Sequence, residues 1–142
     1  MRTSGEMGVN SPNIDSLDPW AHAVTRVDKP WGYELIWAET EHYVGKVLFV
    51  KAGESLSLQF HRMKDESWLV QQGRAKLELG SAGDPVLSVE VIAAGACFHF
   101  RPGTVHRVTA IEDTTILEVS TPQLDDVVRL EDAYGREGTS EP

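Results

Sequence analysis

Residues 56–68 read LSLQFHRMKDESW, and the side on which their side chains fall decides the fold. Along a strand, successive side chains point to opposite faces. Ser57, Gln59 and His61 therefore share one face, and Leu56, Leu58 and Phe60 the other. Glu66 follows just beyond the HRMKD segment, and as a strand residue it shares its face with Trp68 and Val70. An amide, an imidazole and a carboxylate thus gather on a short stretch of chain. Either they line a solvated sheet face, or they are half of a metal site inside a barrel. Alternation alone leaves both readings open.

The flanking sequence repeats the same kind of short apolar run. KVLFV (Lys46–Val50) reaches the turn KAGE, and SLSLQFH follows as a strand. SWLVQQG, RAKLELG, VLSVEVI, ACFHF, HRVTAI and TILEVS come next, separated by turns rich in Gly, Pro and Asp. Strand-like runs every ~8–12 residues predict an all-β sandwich or barrel. There is no βαβ alternation and no glycine-rich phosphate loop. The final PQLDDVVRLEDAYGR fits a short helix or an extended arm equally well. The expected organisation is a loose leader over residues 1–18, one domain with a C-terminal arm over 19–136, and a flexible tail over 137–142.

Composition excludes several classes of function. A chain of 142 residues and 15.7 kDa, 41% hydrophobic, is long enough for one sizeable core. A formal net charge of -9 argues against a protein that tracks a nucleic-acid backbone, and no basic run offsets it. Much of the acidity lies beyond Glu112, which reads as a solvated flank. The single cysteine, Cys97, precludes an internal disulfide and fits a reducing cytoplasm. The opening MRTSGEMGVNSPN lacks the apolar run of a signal peptide, and no segment is apolar enough for a membrane span. The expectation is a soluble cytoplasmic protein without nucleic-acid or membrane partners.

A second histidine lies downstream. In RPGTVHRV, Pro102-Gly103 makes a turn and His106 shares a strand face with Val108. His106 joins the first cluster only if the two strands are neighbours. Two imidazoles, one carboxylate and one amide oxygen would suit a divalent ion such as Zn, Mn, Fe, Co or Ni, with positions left for water or substrate.

These residues carry a family resemblance. Gly53, Gln59, His61, Glu66 and Gly73 match the first motif of the cupin superfamily, with glutamine in place of its usual first histidine. Gly95, Gly103 and His106 match the second motif, with Arg101 in place of a proline and Ala110 in place of the closing asparagine. The chain further resembles the C-terminal cupin domain of type II mannose-6-phosphate isomerases. The marks are PWGY from Pro30, KVLFVKAG, LSLQFH, ESW, GTVHRV and DDVVRLEDAYGR from Asp125 to Arg136. Lys64 stands where that family commonly has arginine, and Met63 and Asp65 also depart from its pattern.

The resemblance implies a double-stranded β-helix, the jelly-roll barrel, with Gln59, His61, Glu66 and His106 as four metal ligands facing its interior. It implies aldose–ketose isomerisation of a sugar or sugar phosphate, which needs a Lewis acid and a base to move a proton through an enediolate. Lys46 and Arg129 match a family lysine and arginine and are the candidate catalytic residues, placed to hold the sugar or its phosphate. Their plainer alternatives are a solvent-facing lysine and a salt bridge from Arg129 to Asp125 or Asp132. No general base stands out beside the ligands. His99 has the wrong parity if Phe98 and Phe100 pack.

Two other functions fit the same ligands. His61, Glu66 and His106 suit a non-haem Fe(II) dioxygenase with Gln59 as a fourth, weaker ligand. A metal-containing sugar-binding module without turnover is the third reading. Trp31 and Trp68 read as structural. Leu56, Leu58 and Phe60, turned away from the ligands, need cover from other parts of the chain or from a second copy, and a homodimer is expected.

Overall fold

The computed structural model describes residues 20–84 and 86–139. The expected leader at 1–18 lies outside them. Twelve strands run through the described chain: β1 (Thr25–Lys29), β2 (Gly32–Glu39), β3 (Val44–Val50), β4 (Leu58–Phe60), β5 (Glu66–Gln72), β6 (Arg74–Ser81), β7 (Ser88–Ala93), β8 (Cys97–Phe100), β9 (Thr104–Ala110), β10 (Thr114–Ser120), β11 (Val128–Glu131) and β12 (Gly138–Thr139). They form two six-stranded sheets, ordered β1-β2-β3-β10-β5-β8 and β12-β11-β4-β9-β6-β7. Among the described residues, every strand pairing within the sheets is antiparallel.

This is the two-sheet architecture of the cupin jelly roll, with one correction to the expected barrel. Among the described residues neither sheet closes on itself, because each ends on unpaired edge strands, β1 and β8 in one and β12 and β7 in the other. The C-terminal stretch is an extended arm, with β11 paired to β4. Residues 138 and 139, placed in the expected tail, form the last strand. No helix among the described residues is long and apolar enough to cross a membrane.

Register turns simple alternation into layers. In the first sheet, Leu48, Ile116 and Val70 lie side by side on adjacent strands, all buried. In the second, Val108 lies beside Leu77 and Ala110 beside Ala75. These rungs meet between the sheets as the apolar core. Each Leu, Ile or Val among them contributes ~1.5–3 kcal/mol by leaving water. Two residues along each strand, the rungs change character. Lys46, Glu118 and Trp68 are neighbours in the first sheet, and Arg129, Gln59 and His106 in the second. One end of the interior is therefore a hydrophobic core and the other a polar cavity.

The β5–β6 corner needs Gly73. Its φ is +98°, and a Cβ there would sit 2.3 Å from the Asp113 carbonyl oxygen. Only glycine reaches this conformation without strain.

One expectation from parity fails. Leu56 lies before β4, where the chain runs through turns and one isolated bridge at Ser55, so strand alternation does not reach back to it. It joins the core with Trp31 and Leu48 and lines the same cavity as Gln59 and His61. Leu58 is buried as well, so both are covered within one chain. The acidic flank beyond Glu112 is also not uniformly solvated, since Glu118 and Asp132 are buried. Large exposed apolar side chains lie in several places, among them Val89 and Val91 on β7 of the second sheet. Trp37, Leu69, Leu117 and Val119 sit on the outer face of the first sheet, where Leu117 is flanked by Val47 and Leu69.

Candidate metal centre

Three of the four expected ligands converge. His61 follows β4, Glu66 opens β5 and His106 lies within β9. Their nearest ligand atoms all lie within 4.8 Å of one another, and all three residues are buried. His61 Nε2 is 2.7 Å from Glu66 Oε2. Gln59 stands directly opposite His106 in the register and lines the cavity beside His61.

Hydrogen bonds fix which imidazole nitrogens face inward. His61 Nδ1 lies 2.5 Å from the Asp126 carbonyl oxygen, and His106 Nδ1 lies 3.0 Å from that of Thr104. A carbonyl oxygen only accepts, so each Nδ1 carries the proton and donates it. Each Nε2 then presents a lone pair to the cavity. His106 Nε2 is buried without a hydrogen-bond partner, and burial pushes the His106 pKa down, which keeps the ring neutral. Phe100 stacks on that ring with centroids 4.5 Å apart. His61 Nε2 and Glu66 Oε2, 2.7 Å apart, lie at the centre of this cluster. Imidazoles anchored through their outer nitrogens and aimed at a buried carboxylate are the donor set of a divalent metal site.

The carboxylate is held ionised. Burial acts to raise the Glu66 pKa, but neighbouring groups, the Lys64 ammonium first among them, outweigh it and hold the carboxyl below the usual carboxylate range. Trp68 Nε1 donates to Glu66 Oε1 at 2.6 Å and to Glu118 Oε1 at 3.2 Å. The expected structural Trp68 is thus both core and a bridge between two carboxylates. Lys64 Nζ lies 3.2 Å from Glu118 Oε2 and 3.7 Å from Glu66 Oε2. Burial works against the Lys64 charge, yet Glu118 and Glu66 together raise its pKa. Glu118 itself is pushed up by burial and then by Glu66.

Glu118 was not singled out from the sequence. TILEVS puts it on the face of Ile116 and Ser120, opposite the more apolar face of Leu117 and Val119, so alternation gives no sign that it is buried. What the sequence hides is that Lys46 and Trp68 flank it on neighbouring strands. His99, set aside on parity, is exposed and pairs with Asp65 at 2.7 Å.

The far side of the cavity is cationic. Lys46 is buried and lies 3.3 Å from both Glu34 oxygens, with Lys29 3.9 Å from the same carboxylate. Lys46 is thus not solvent-facing; Asp132 offers both oxygens to Arg136, at 2.9 and 3.0 Å, and also attracts the Arg129 charge. Arg129 is buried beside Gln59, and burial followed by Arg136 lowers its pKa. Five cationic side chains, Lys29, Lys46, Lys64, Arg129 and Arg136, line the cavity against three carboxylates, Glu34, Glu66 and Glu118. In a chain of net charge -9 this is a local reversal of sign.

Residues 18–132 match the family described as mannose-6-phosphate isomerase C-terminal. The chain belongs to this family.

Its curated relatives are longer proteins. Mannose-1-phosphate guanylyltransferase 2 of Escherichia coli O157:H7 is 32% identical over 117 residues, which cover 78% of this chain and 23% of that protein. The alginate biosynthesis protein AlgA of Pseudomonas aeruginosa is 33% identical over 147 residues, covering 91% of this chain and 27% of AlgA. The chain therefore spans about a quarter of the length of these relatives. Among solved structures, the capsular polysaccharide assembling protein CapF of Staphylococcus aureus superposes with a TM-score of 0.70 at 15% identity, over 86% of this chain and 40% of CapF. KdgF of Halomonas sp. gives 0.58 at 22% identity, over 72% and 89%. At such identities these two show the shared fold alone.

Within the family pattern, the glycines of the two motifs mark turns. Gly53, Gly73, Gly95 and Gly103 all have positive φ. The departure at Lys64 keeps a cation where the family commonly has arginine, and here that cation serves Glu66 and Glu118 together.

Proposed function

We propose that this family member is a metal-dependent isomerase of sugar phosphates, interconverting an aldose and a ketose such as mannose 6-phosphate and its 2-keto isomer. Gln59, His61, Glu66 and His106 hold one divalent ion, of Zn, Mn, Fe, Co or Ni. When bound, that ion supplies a Lewis acid for the substrate carbonyl and its neighbouring hydroxyl. Lys46 and Arg129, joined by Lys29 and Arg136, hold the phosphate through charge-assisted hydrogen bonds. Glu118, a cavity carboxylate outside the ligand set, carries the proton between the two carbons through an enediolate, and Lys64 orients it.

The observation that carries this reading is the cation excess beside a His/His/Glu cluster. A neutral sugar does not call for that charge, whereas a phosphate dianion balances it. The test is incubation of the metal-loaded chain with mannose 6-phosphate and, separately, with mannose, followed by detection of the ketose. Product from the phosphate and far less from the free sugar supports the proposal. Substrate-stimulated oxygen uptake with iron but not zinc supports the dioxygenase reading instead, and ligand affinity without product under every metal supports a binding module.

Two copies pair through the outer face of the first sheet. That band of Trp37, Val47, Leu69, Leu117 and Val119 is where two acidic chains can meet without opposing carboxylates. The expected light-scattering mass is that of a dimer; a monomer at all concentrations contradicts it. The exposed Cys97, lone in the sequence, suits a reducing cytoplasm.

A further inference from the structure

The loop that joins two candidate ligands is held almost entirely from the C-terminal arm. Between His61 and Glu66 the chain makes a tight excursion, and its consecutive backbone amides all point to residues 121–126. Arg62 N donates to Asp126 Oδ1 at 3.0 Å, while Met63 N and Lys64 N donate to Asp126 Oδ2 at 2.6 and 2.9 Å. Asp65 N donates to Thr121 Oγ1 at 3.0 Å, and Thr121 N returns a bond to the Asp65 carbonyl at 3.0 Å. The Asp126 carbonyl also accepts the His61 Nδ1 proton. One residue thus fixes the backbone of the ligand loop with its side chain and the tautomer of a ligand with its main chain.

The same arm builds the cavity wall. Leu124, Val127, Arg129 and Arg136 line it, and β11 pairs with β4 beside Gln59. At its far end Tyr134 donates a hydrogen bond to Glu54. If the arm lifts, four backbone amides of the ligand loop lose their side-chain acceptors and His61 loses the acceptor that orients it.

We propose that Asp126 is a positioning residue for the metal centre, and that metal loading and docking of the arm over residues 121–136 are one coupled equilibrium. Outer partners of ligating histidines commonly contribute ~10–100-fold to metal affinity. Linkage makes the coupling reciprocal: whatever factor the docked arm adds to metal affinity, the metal adds to docking. Metal uptake therefore completes the cationic wall of the cavity as well as the metal centre itself. This rests on the metal reading of His61, Glu66 and His106, and the test separates the two.

The probe is Zn2+. Its dissociation constant is measured by chelator competition for the native chain, Asp126→Asn and Thr121→Val, alongside hydrogen exchange of residues 62–64 and 124–136 with and without Zn2+. The expected results are slower exchange of both segments on Zn2+ addition to the native chain, and at least ~10-fold weaker binding in folded Asp126→Asn. Thr121→Val, which removes a single acceptor, loses a few-fold and decides the matter should Asp126→Asn fail to fold. A Co2+-loaded Asp126→Asn sample should also show an altered visible spectrum. Unchanged Zn2+ affinity and Co2+ spectrum with a lowered melting temperature of the metal-free variant would mean a merely structural role and overturn the coupling. So would arm exchange indifferent to Zn2+ in the native chain. A native chain that takes up no Zn2+ overturns the metal centre itself.

Discussion

The two sides of the cavity are built differently. On the metal side, each imidazole is anchored by a backbone carbonyl, His106 is stacked on Phe100, and Glu66 is bridged to Trp68. On the cationic side, long lysine and arginine side chains share carboxylates: Glu34 serves Lys29 and Lys46, and Asp132 serves Arg136. Coordination demands atoms fixed to a fraction of an ångström, so each ligand is locked by a hydrogen-bonded partner. Attraction of a dianion tolerates play, and flexible cations on the arm and the β1–β3 hairpins suffice. One side should fail all at once when a ligand is removed, and the other by degrees.

Glu66→Ala and His106→Ala should have the largest effect, reducing bound metal to a small fraction of an equivalent in variants that circular dichroism shows to be folded. A full equivalent retained by both would erase the distinction between the two sides. Glu118→Gln should come next, with metal content unchanged and substrate affinity little altered but turnover lowered ~10²–10⁴-fold, the usual contribution of a proton-transfer group. Loss of metal in that variant would make Glu118 part of the centre. Arg129→Ala should keep the metal and weaken mannose 6-phosphate binding by ~10–100-fold, the scale of a charge-assisted hydrogen bond. Lys46→Ala should act in the same direction and less strongly, because Lys29 still faces Glu34. Titration calorimetry on metal-loaded protein reads both.

The smallest effect belongs to the outside of the second sheet. There Arg107 bonds Glu78 at 2.8 and 3.0 Å and lies 3.3 Å from Glu131. The Arg107 hydrogen bond, opposed by partial burial, holds the Glu78 pKa below its ordinary value. A depressed carboxylate adds stability above its unfolded pKa and loses it as pH falls through the folded one. Glu78→Gln should therefore cost no more than about 1 kcal/mol at neutral pH and progressively less below about pH 4, with metal content unaffected. Thermal melts of the two proteins across that range give the answer.

How far the sequence carries depends on whether a feature is local. Alternation in LQFH and the spacing of turn residues announce a β-rich domain, and the two motifs with their family resemblance bring Glu66 and His106 together across the chain. Alternation puts Glu118 on the less apolar face of TILEVS, and its burial and neighbours emerge only from register, which pairs Lys46 with Glu118 and Glu118 with Trp68. Leu56 departs from strand parity because the segment before Leu58 is not strand. The Asp126 clamp joins residues more than sixty positions apart through backbone amides, whose chemistry is the same in every residue and leaves no mark on the side-chain pattern.

The metal centre itself is most directly tested by X-ray absorption of the zinc-loaded chain, combined with metal stoichiometry. The account predicts one tightly held equivalent with two imidazole nitrogens at about 2.0–2.1 Å and the remaining ligands oxygen. A shell without imidazole, or one that includes the sulfur of Cys97, would contradict it.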